Sequence, residues 1–233
     1  MTLKHIVQTF ILALLATSLH AQTSITLQGG VFRNKMEGGF SNASSFFQSN
    51  LSAGISIDHS RRKVFGWMLG YNAFAKSFQF GYPYNSTSTV DPMPSEFTVG
   101  YNIKAHEIQS LLLMRLGKHI NLCAGPYIHV NTHQIINGLG IDENFFYPAL
   151  PKDLYNSIEF GYQGKLQLQF FLGRHFYFGA YAIAGKSLTD LRTNAWNQAW
   201  SIITGDKVTW TSDPMKDAFQ HVGICIGIRT KQN

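Results

Sequence analysis

The sequence predicts an all-β fold, an eight-stranded antiparallel transmembrane up-and-down β-barrel with short periplasmic turns and long outer loops. Three observations predict it. The first is the stretch Ile158–Leu172, where Ile158, Phe160, Tyr162, Leu166, Leu168, Phe170 and Leu172 share one parity and Glu159, Gln163, Lys165, Gln167 and Gln169 the other. Only a β-strand turns successive side chains to opposite faces, so this strand has one oily and one wet side. From Phe160 to Phe170 it climbs roughly 33 Å at about 3.3 Å per residue. Tilted by about 40°, that is a height of about 25 Å, the apolar band of a membrane barrel between its aromatic girdles. The second observation is composition. Hydrophobic residues make up 45%, aromatics 14% and charged residues 14% of 233 residues, yet the mean hydropathy is only -0.06. Apolar residues placed at every second position hide their hydrophobicity in this way. The third is spacing: short basic turns fall near residues 61, 118 and 174, a hairpin-scale period of about 56 residues. Four long polar loops lie between and beyond them.

In chain order, residues 1–21 read as a signal peptide: Lys4 and His5, an apolar core over 6–19, and Leu19-His20-Ala21 before Gln22. Residues 22–233 are then one outer-membrane barrel domain. The first strand is expected over 24–33 with Ile25, Leu27 and Val31 outward, followed by a loop over 34–48. The second, over 49–59, turns Leu51, Ala53, Ile55 and Ile57 outward and Ser52, Ser56 and Asp58 inward. After the turn Ser60-Arg61-Arg62-Lys63, the third strand runs over 64–80. It sends Phe65, Trp67, Leu69 and Tyr71 to lipid and Met68, Asn72 and Lys76 inside. The loop 81–95 carries Pro83, Pro92 and Pro94 and is expected to hold no strand.

The fourth strand, 96–116, changes parity between Val99-Tyr101-Ile103 and Ile108-Leu112-Met114-Leu116, and a bulge at Ala105–His106 is the simplest repair. Gly117-Lys118-His119 turns into a fifth strand over 120–131 with Leu122, Ala124, Ile128 and Val130 outward. The sixth is Ile158–Leu172, closed by the turn Gly173-Arg174-His175. The seventh, 176–188, is apolar on both faces, so its parity stays open. The eighth, 218–229, points Val222, Ile224, Ile226 and Ile228 out and His221, Cys225 and Arg229 in, after a loop over 189–217.

The residues 106–128, H-E-I-Q-S-L-L-L-M-R-L-G-K-H-I-N-L-C-A-G-P-Y-I, resemble the PorT-like family of outer-membrane β-barrel domains found in Bacteroidetes, in which a Glu-Ile-Pro-led strand, a basic residue, a turn and a Gly-Pro-Tyr recur. His106-Glu107-Ile108, Arg115 and Gly125-Pro126-Tyr127 match, while Gln109 stands where the family has proline. Gly179 to Asp190 and Trp67 to Lys76 resemble the family's penultimate and third strands. The chain departs from the terminal aromatic of many such barrels, ending Arg229-Thr230-Lys231-Gln232-Asn233. The resemblance implies a Gram-negative outer-membrane barrel of the cell envelope, one branch of the family being tied to protein secretion and gliding.

The net charge of +6, or +5 once Lys4 leaves with the leader, is scattered over turns and strand ends. That argues against nucleic acid and for anionic membrane head groups as partner. Two cysteines, Cys123 and Cys225, are too few for a disulfide framework. On strands five and eight of such a barrel they stand roughly 13–16 Å apart, beyond disulfide reach.

Asp58, Glu107, Arg115, Glu159, Lys165, Gln167 and His221 are expected inside as a polar network, with Asn121, His129, Gln163 and Gln169. An eight-stranded barrel is just wide enough for its side chains to fill, so these should interlock as a plug; the other reading is an ion or proton path. No cofactor is implied. A lipid-modifying hydrolase would need a nucleophile beside an oriented base, and the crowded candidate is His129 to His133. Those two histidines would sit about 13 Å apart along a strand, too far to share a metal. Phe145, Phe146, Tyr147, Trp196, Trp200 and Trp210 make the third and fourth long loops aromatic, a surface for binding a glycan, a peptide or an envelope or secretion partner. The expected function is therefore a non-enzymatic barrel presenting loops, with a small pore or an interfacial lipid enzyme as alternatives. A soluble lipocalin-like barrel is the structural alternative.

Overall fold

Nine β-segments follow one another: β1 (Gln22–Glu37), β2 (Ser44–Phe46), β3 (Gln48–Ser60), β4 (Phe65–Pro83), β5 (Glu96–Leu116), β6 (Ile120–Leu139), β7 (Ile158–Leu172), β8 (Phe176–Ser187) and β9 (Lys216–Arg229). The computed structural model describes residues 22–39, 44–60, 64–83, 96–139, 155–193 and 212–230. All pairings are antiparallel; β1 joins β9, and β4 pairs with β5, so the sheet returns on itself. β2 and β3 are two parts of one wall strand on β4. Phe46 faces Gln79 where the register of β3 would bring Phe80, and the extra residue is taken up at Phe47. The wall therefore has eight positions, closed as an up-and-down barrel without edges.

The alternation of the sequence becomes an inside-out surface. Leu51, Leu112 and Ile224 are 82%, 77% and 73% exposed on the outer wall. Lys76, Asp217, His129 and Glu159 are buried inside. Exposed Phe65, Phe170, Phe176 and Phe178 ring the turn end of the barrel, and exposed Phe160, Tyr162 and Tyr71 lie toward the loop end. An apolar outer wall flanked by aromatics around a polar interior is the surface of a transmembrane barrel. Among the described residues no helix is long and apolar enough to cross a membrane.

Several expectations need correction. β1 continues to Glu37 and β2 forms within the stretch assigned to a loop over 34–48. β4 runs to Pro83, β6 to Leu139, and β9 begins at Lys216. Pairing overrides propensity here: once β4 and β5 are in register from Phe65↔Met114, the ladder extends to Pro83↔Glu96 at the end of both strands. The bulge expected at Ala105–His106 is absent. Ile103, Ala105, Glu107, Gln109, Leu111, Leu113 and Arg115 alternate inward without a break. The extra residue sits instead on β6, where Lys104 pairs with His133 and Ala105 with Asn131, leaving Thr132 over. The apparent phase change arises because Ile103, Leu111 and Leu113 are apolar residues inside the barrel, Leu111 and Leu113 packing with Met68 and Cys123.

The parity of β8 is settled by its tips. Tyr177 and Tyr181 point inward, where the Tyr177 hydroxyl meets Thr26 and the Tyr181 hydroxyl lies 2.6 Å from His221 Nε2. Phe176 and Phe178 face out. Tyr177 lies across β9 at Gly227, where a Cβ would stand 2.3 Å from its ring. Gly117 and Gly173 open the two described hairpin turns at φ 71° and 75°, backbone that favours glycine. Cys123 and Cys225 are free, buried and in separate clusters, Cys225 with Phe32, Phe74 and Phe219.

Candidate functional site

The lumen is filled in tiers. At the turn end Arg115, from the end of β5, pairs with Asp58 of β3 and donates to Ser60 at 2.9 Å and to Gln22. Arg229, from the end of β9, donates to Ser24 at 3.3 Å and to Gln169, and lies 4.5 Å over the Phe171 ring. In the middle, Lys165 donates to Gln28 at 2.8 Å and lies 5.3 Å over the Tyr181 ring. Gln28 in turn donates to Asn72, and Asn72 to Glu107 Oε1 at 2.6 Å. Gln163 donates to Gln109, and Gln167 to the Cys225 sulfur at 3.4 Å. Phe32, Phe74 and Phe219 stack across the axis, with centroids 3.9 and 5.2 Å apart.

The loop-end tier is ionic. Lys76 Nζ lies 2.6 Å from Glu159 Oε1 and 2.9 Å from Asp217 Oδ2. His129 Nε2 lies 3.0 Å from Glu107 Oε2, and Asn131 donates to Glu159 Oε1 at 2.8 Å. Beyond it, the described residues 155–157, 188–193 and 212–215 pack on the end of β4 and on one another. Phe78 stacks on Tyr155 at 5.8 Å, and Leu191 and Met215 are buried beside them. Backbone bonds Asn156 N–H to Leu191 O and Leu191 N–H to Met215 O, both 2.9 Å, lace the segments together. Asp190 fastens this cap, accepting from the Arg192 guanidinium at 2.8 Å, the Arg192 N–H at 3.0 Å and the Met215 N–H at 3.2 Å. Burial pushes the Asp190 carboxyl up, but these bonds outweigh it and hold the group below its ordinary range.

All seven residues expected in the polar network, Asp58, Glu107, Arg115, Glu159, Lys165, Gln167 and His221, are buried in the lumen. Lys165 and Glu107 are joined through Gln28 and Asn72, while Arg115 and Asp58 pair at the turn end. Asp217 is the residue sequence reasoning missed, having been assigned to a loop. Its parity matches Phe219, His221 and Cys225, so extending the eighth strand by one inward position would have found it. Phe145, Phe146, Tyr147, Trp196, Trp200 and Trp210 lie outside the described residues. His221 Nε2 touches both Ser52 and Tyr181, a hydroxyl–imidazole contact of the kind a nucleophile needs. Both hydroxyls compete for that one nitrogen deep in the wall, and among the described residues no carboxylate hydrogen-bonds the ring.

The fold and its interior define a closed, filled transmembrane β-barrel. No family profile and no curated protein matches the sequence. Among solved structures the chain is similar to Ail, the attachment invasion locus protein of Yersinia pestis, crystallised in complex with the heparin analogue sucrose octasulfate, at 12% identity and a TM-score of 0.43, over 91% of this chain and 100% of that one. It is also similar to the outer membrane protein OprG of Pseudomonas aeruginosa, at 11% identity and a TM-score of 0.44 over 91% and 97%. Neisserial surface protein A follows at 8% and 0.38 over 86% and 95%. At these values the likenesses carry no functional inference.

Proposed function

We propose that this chain is a non-enzymatic outer-membrane barrel that holds long loops at the cell surface, as a binding protein or an accessory of secretion or envelope assembly. The observation that supports it most is the filled lumen. Lys76, Glu159, Asp217, Arg115 and Asp58 pair inside, His129 meets Glu107, and Tyr155, Leu191 and Met215 are buried at the loop end, so the wall and interior serve as scaffold. The working surface is then the outer loops, with Phe145, Phe146, Tyr147, Trp196, Trp200 and Trp210 as its aromatic contacts. The resemblance of residues 106–128 to PorT-like domains supports the same assignment. A pore would need charges lining an open path, whereas these are paired across it.

Lipid is the partner of the wall. On β8, β9 and β1 the outward faces change from aliphatic to cationic at the same height. Lys186 and Lys35 both pair in register with Ala218, and Glu37 with Lys216. Glu37 bridges Lys35 at 3.0 Å and Lys186 at 2.6 Å, and Arg33 lies 4.4 Å over Phe47. Such a basic rim beside an apolar band suits phosphate-bearing head groups. The test is gel mobility of the outer-membrane fraction, boiled against unboiled, with conductance in planar bilayers. A heat-dependent shift without steady conductance is expected. No shift, with the protein in the soluble periplasm, or a stable conducting state, would overturn the reading.

A further inference from the structure

The loop-end half of the lumen gathers three carboxyl groups around one ammonium. Glu107, Glu159 and Asp217 are buried there, and among the described residues Lys76 is the one ammonium in contact with any of them. Lys165 reaches Glu107 only through Gln28 and Asn72. Lys76 engages one oxygen of Glu159 and one of Asp217. Glu159 Oε2, both Asp217 oxygens and His129 Nδ1 have no hydrogen-bond partner among the described residues, the Lys76 contact with Asp217 Oδ2 being an ion pair by distance.

The histidine gives these atoms a direction. Its Nε2 lies 3.0 Å from Glu107 Oε2, so that nitrogen carries the proton and donates it to the carboxylate. With neutral imidazole, Nδ1 is then a lone pair, and it faces Glu159 Oε2 at 3.9 Å, too long for a hydrogen bond. Two electron-rich atoms buried face to face repel unless a cation stands between them. Ligand atoms of His129, Glu159 and Asp217 all lie within 4.8 Å of one another.

We propose that His129 Nδ1, Glu159 Oε2 and the Asp217 carboxylate form a binding site for a divalent first-row transition-metal ion, with Zn2+ the best match. One imidazole and two carboxylates are zinc ligands, and a carboxylate behind the histidine is the usual outer partner of such a ligand, here Glu107. Among the described residues one ammonium, Lys76, contacts these carboxyl groups, and a divalent ion would supply the further positive charge the cluster lacks. Closing on metal–ligand distances near 2.0–2.2 Å needs the three atoms to draw together by about 1 Å. Lys76 keeps the outer oxygens, and Tyr127 and Phe74 wall the ring at 4.2 and 5.3 Å. Enclosed in this way, the ion enters as the barrel forms and exchanges slowly afterwards. The site uses His129 without His133.

The test refolds the full chain in detergent with one equivalent of Zn2+, verifies the barrel by its heat-dependent mobility, desalts it with chelator and measures zinc by atomic emission. Co2+ in its place should give visible ligand-field bands. The wild type is expected to retain close to one ion per chain. Asp217→Asn and His129→Gln should cut occupancy by tenfold or more, and Glu107→Gln should weaken affinity by about 10–100-fold. Where a variant fails to fold, the wild type alone decides. A folded barrel retaining less than about a tenth of an ion per chain overturns the proposal. Equal loading of wild type and folded variants overturns it as well, placing the ion elsewhere. A chain that shows no heat-dependent shift removes the barrel reading and the site with it, a result distinct from a folded barrel without zinc.

Discussion

Replacing Lys76 by methionine is the sharpest test of the ionic tier. The side chain is fully buried, with Glu159 at 2.6 Å and Asp217 at 2.9 Å, so Lys76→Met deletes one positive charge and strands two carboxylates away from water. Removing one partner of a buried pair costs about 3–5 kcal/mol, because the remaining charge keeps its desolvation penalty without its compensation. With two partners stranded, the upper end applies, about 5 kcal/mol or roughly three to four powers of ten in the folded-to-unfolded ratio. The measurement is urea unfolding of the barrel in detergent, with chelator present, followed by heat-shifted gel mobility. The triple variant Lys76→Met, Glu159→Gln, Asp217→Asn removes the ammonium together with both carboxylates it contacts and should recover to within about 2 kcal/mol of the wild type. A Lys76→Met protein within about 1 kcal/mol of the wild type, or a triple variant no better than the single one, would refute the reasoning.

Two further expectations concern the cap and the wall. A carboxyl whose folded value is depressed stabilises above its unfolded value and loses that contribution as pH falls through the folded one. Asp190→Asn should therefore speed proteolytic nicking of residues 188–193 relative to wild type at neutral pH, and the difference should shrink as pH falls below the ordinary aspartate range; a difference undiminished in acid removes Asp190 as the fastener. Changing Arg33, Lys35, Lys186 and Lys216 together to glutamine should weaken association with anionic vesicles by about 1 kcal/mol per residue and leave zwitterionic vesicles unaffected, as read by flotation. An equal loss on both vesicle types would show that the rim acts through folding instead.

The alternation of β7 was legible because each residue reports its own face: Phe160, Leu166 and Phe170 stand outside, Glu159, Lys165 and Gln169 inside, and a period of two is a local property of the chain. The burial of Lys76 and Glu159 follows from the same parity, while the count of eight strands rests on the spacing of the basic turns near residues 61, 118 and 174. Where both faces are apolar the local signal vanishes. β8 needed the Thr26 and His221 partners of Tyr177 and Tyr181, and Ile103 inside β5 mimicked a bulge that belongs to Thr132 of β6. Strand ends were lost at Glu37, Pro83 and Leu139 because a ladder persists as long as its partner does, whatever the propensity of glycine, proline or asparagine. What tertiary structure alone decided is which charges meet. Lys76, His129, Glu159 and Asp217 come from four strands; His129 and Glu159 are partners across β6 and β7, and the stagger of the closed sheet brings Lys76 and Asp217 to them. Sequence parity turns a side chain into the lumen, but the neighbour it finds there depends on the stagger of every strand in between.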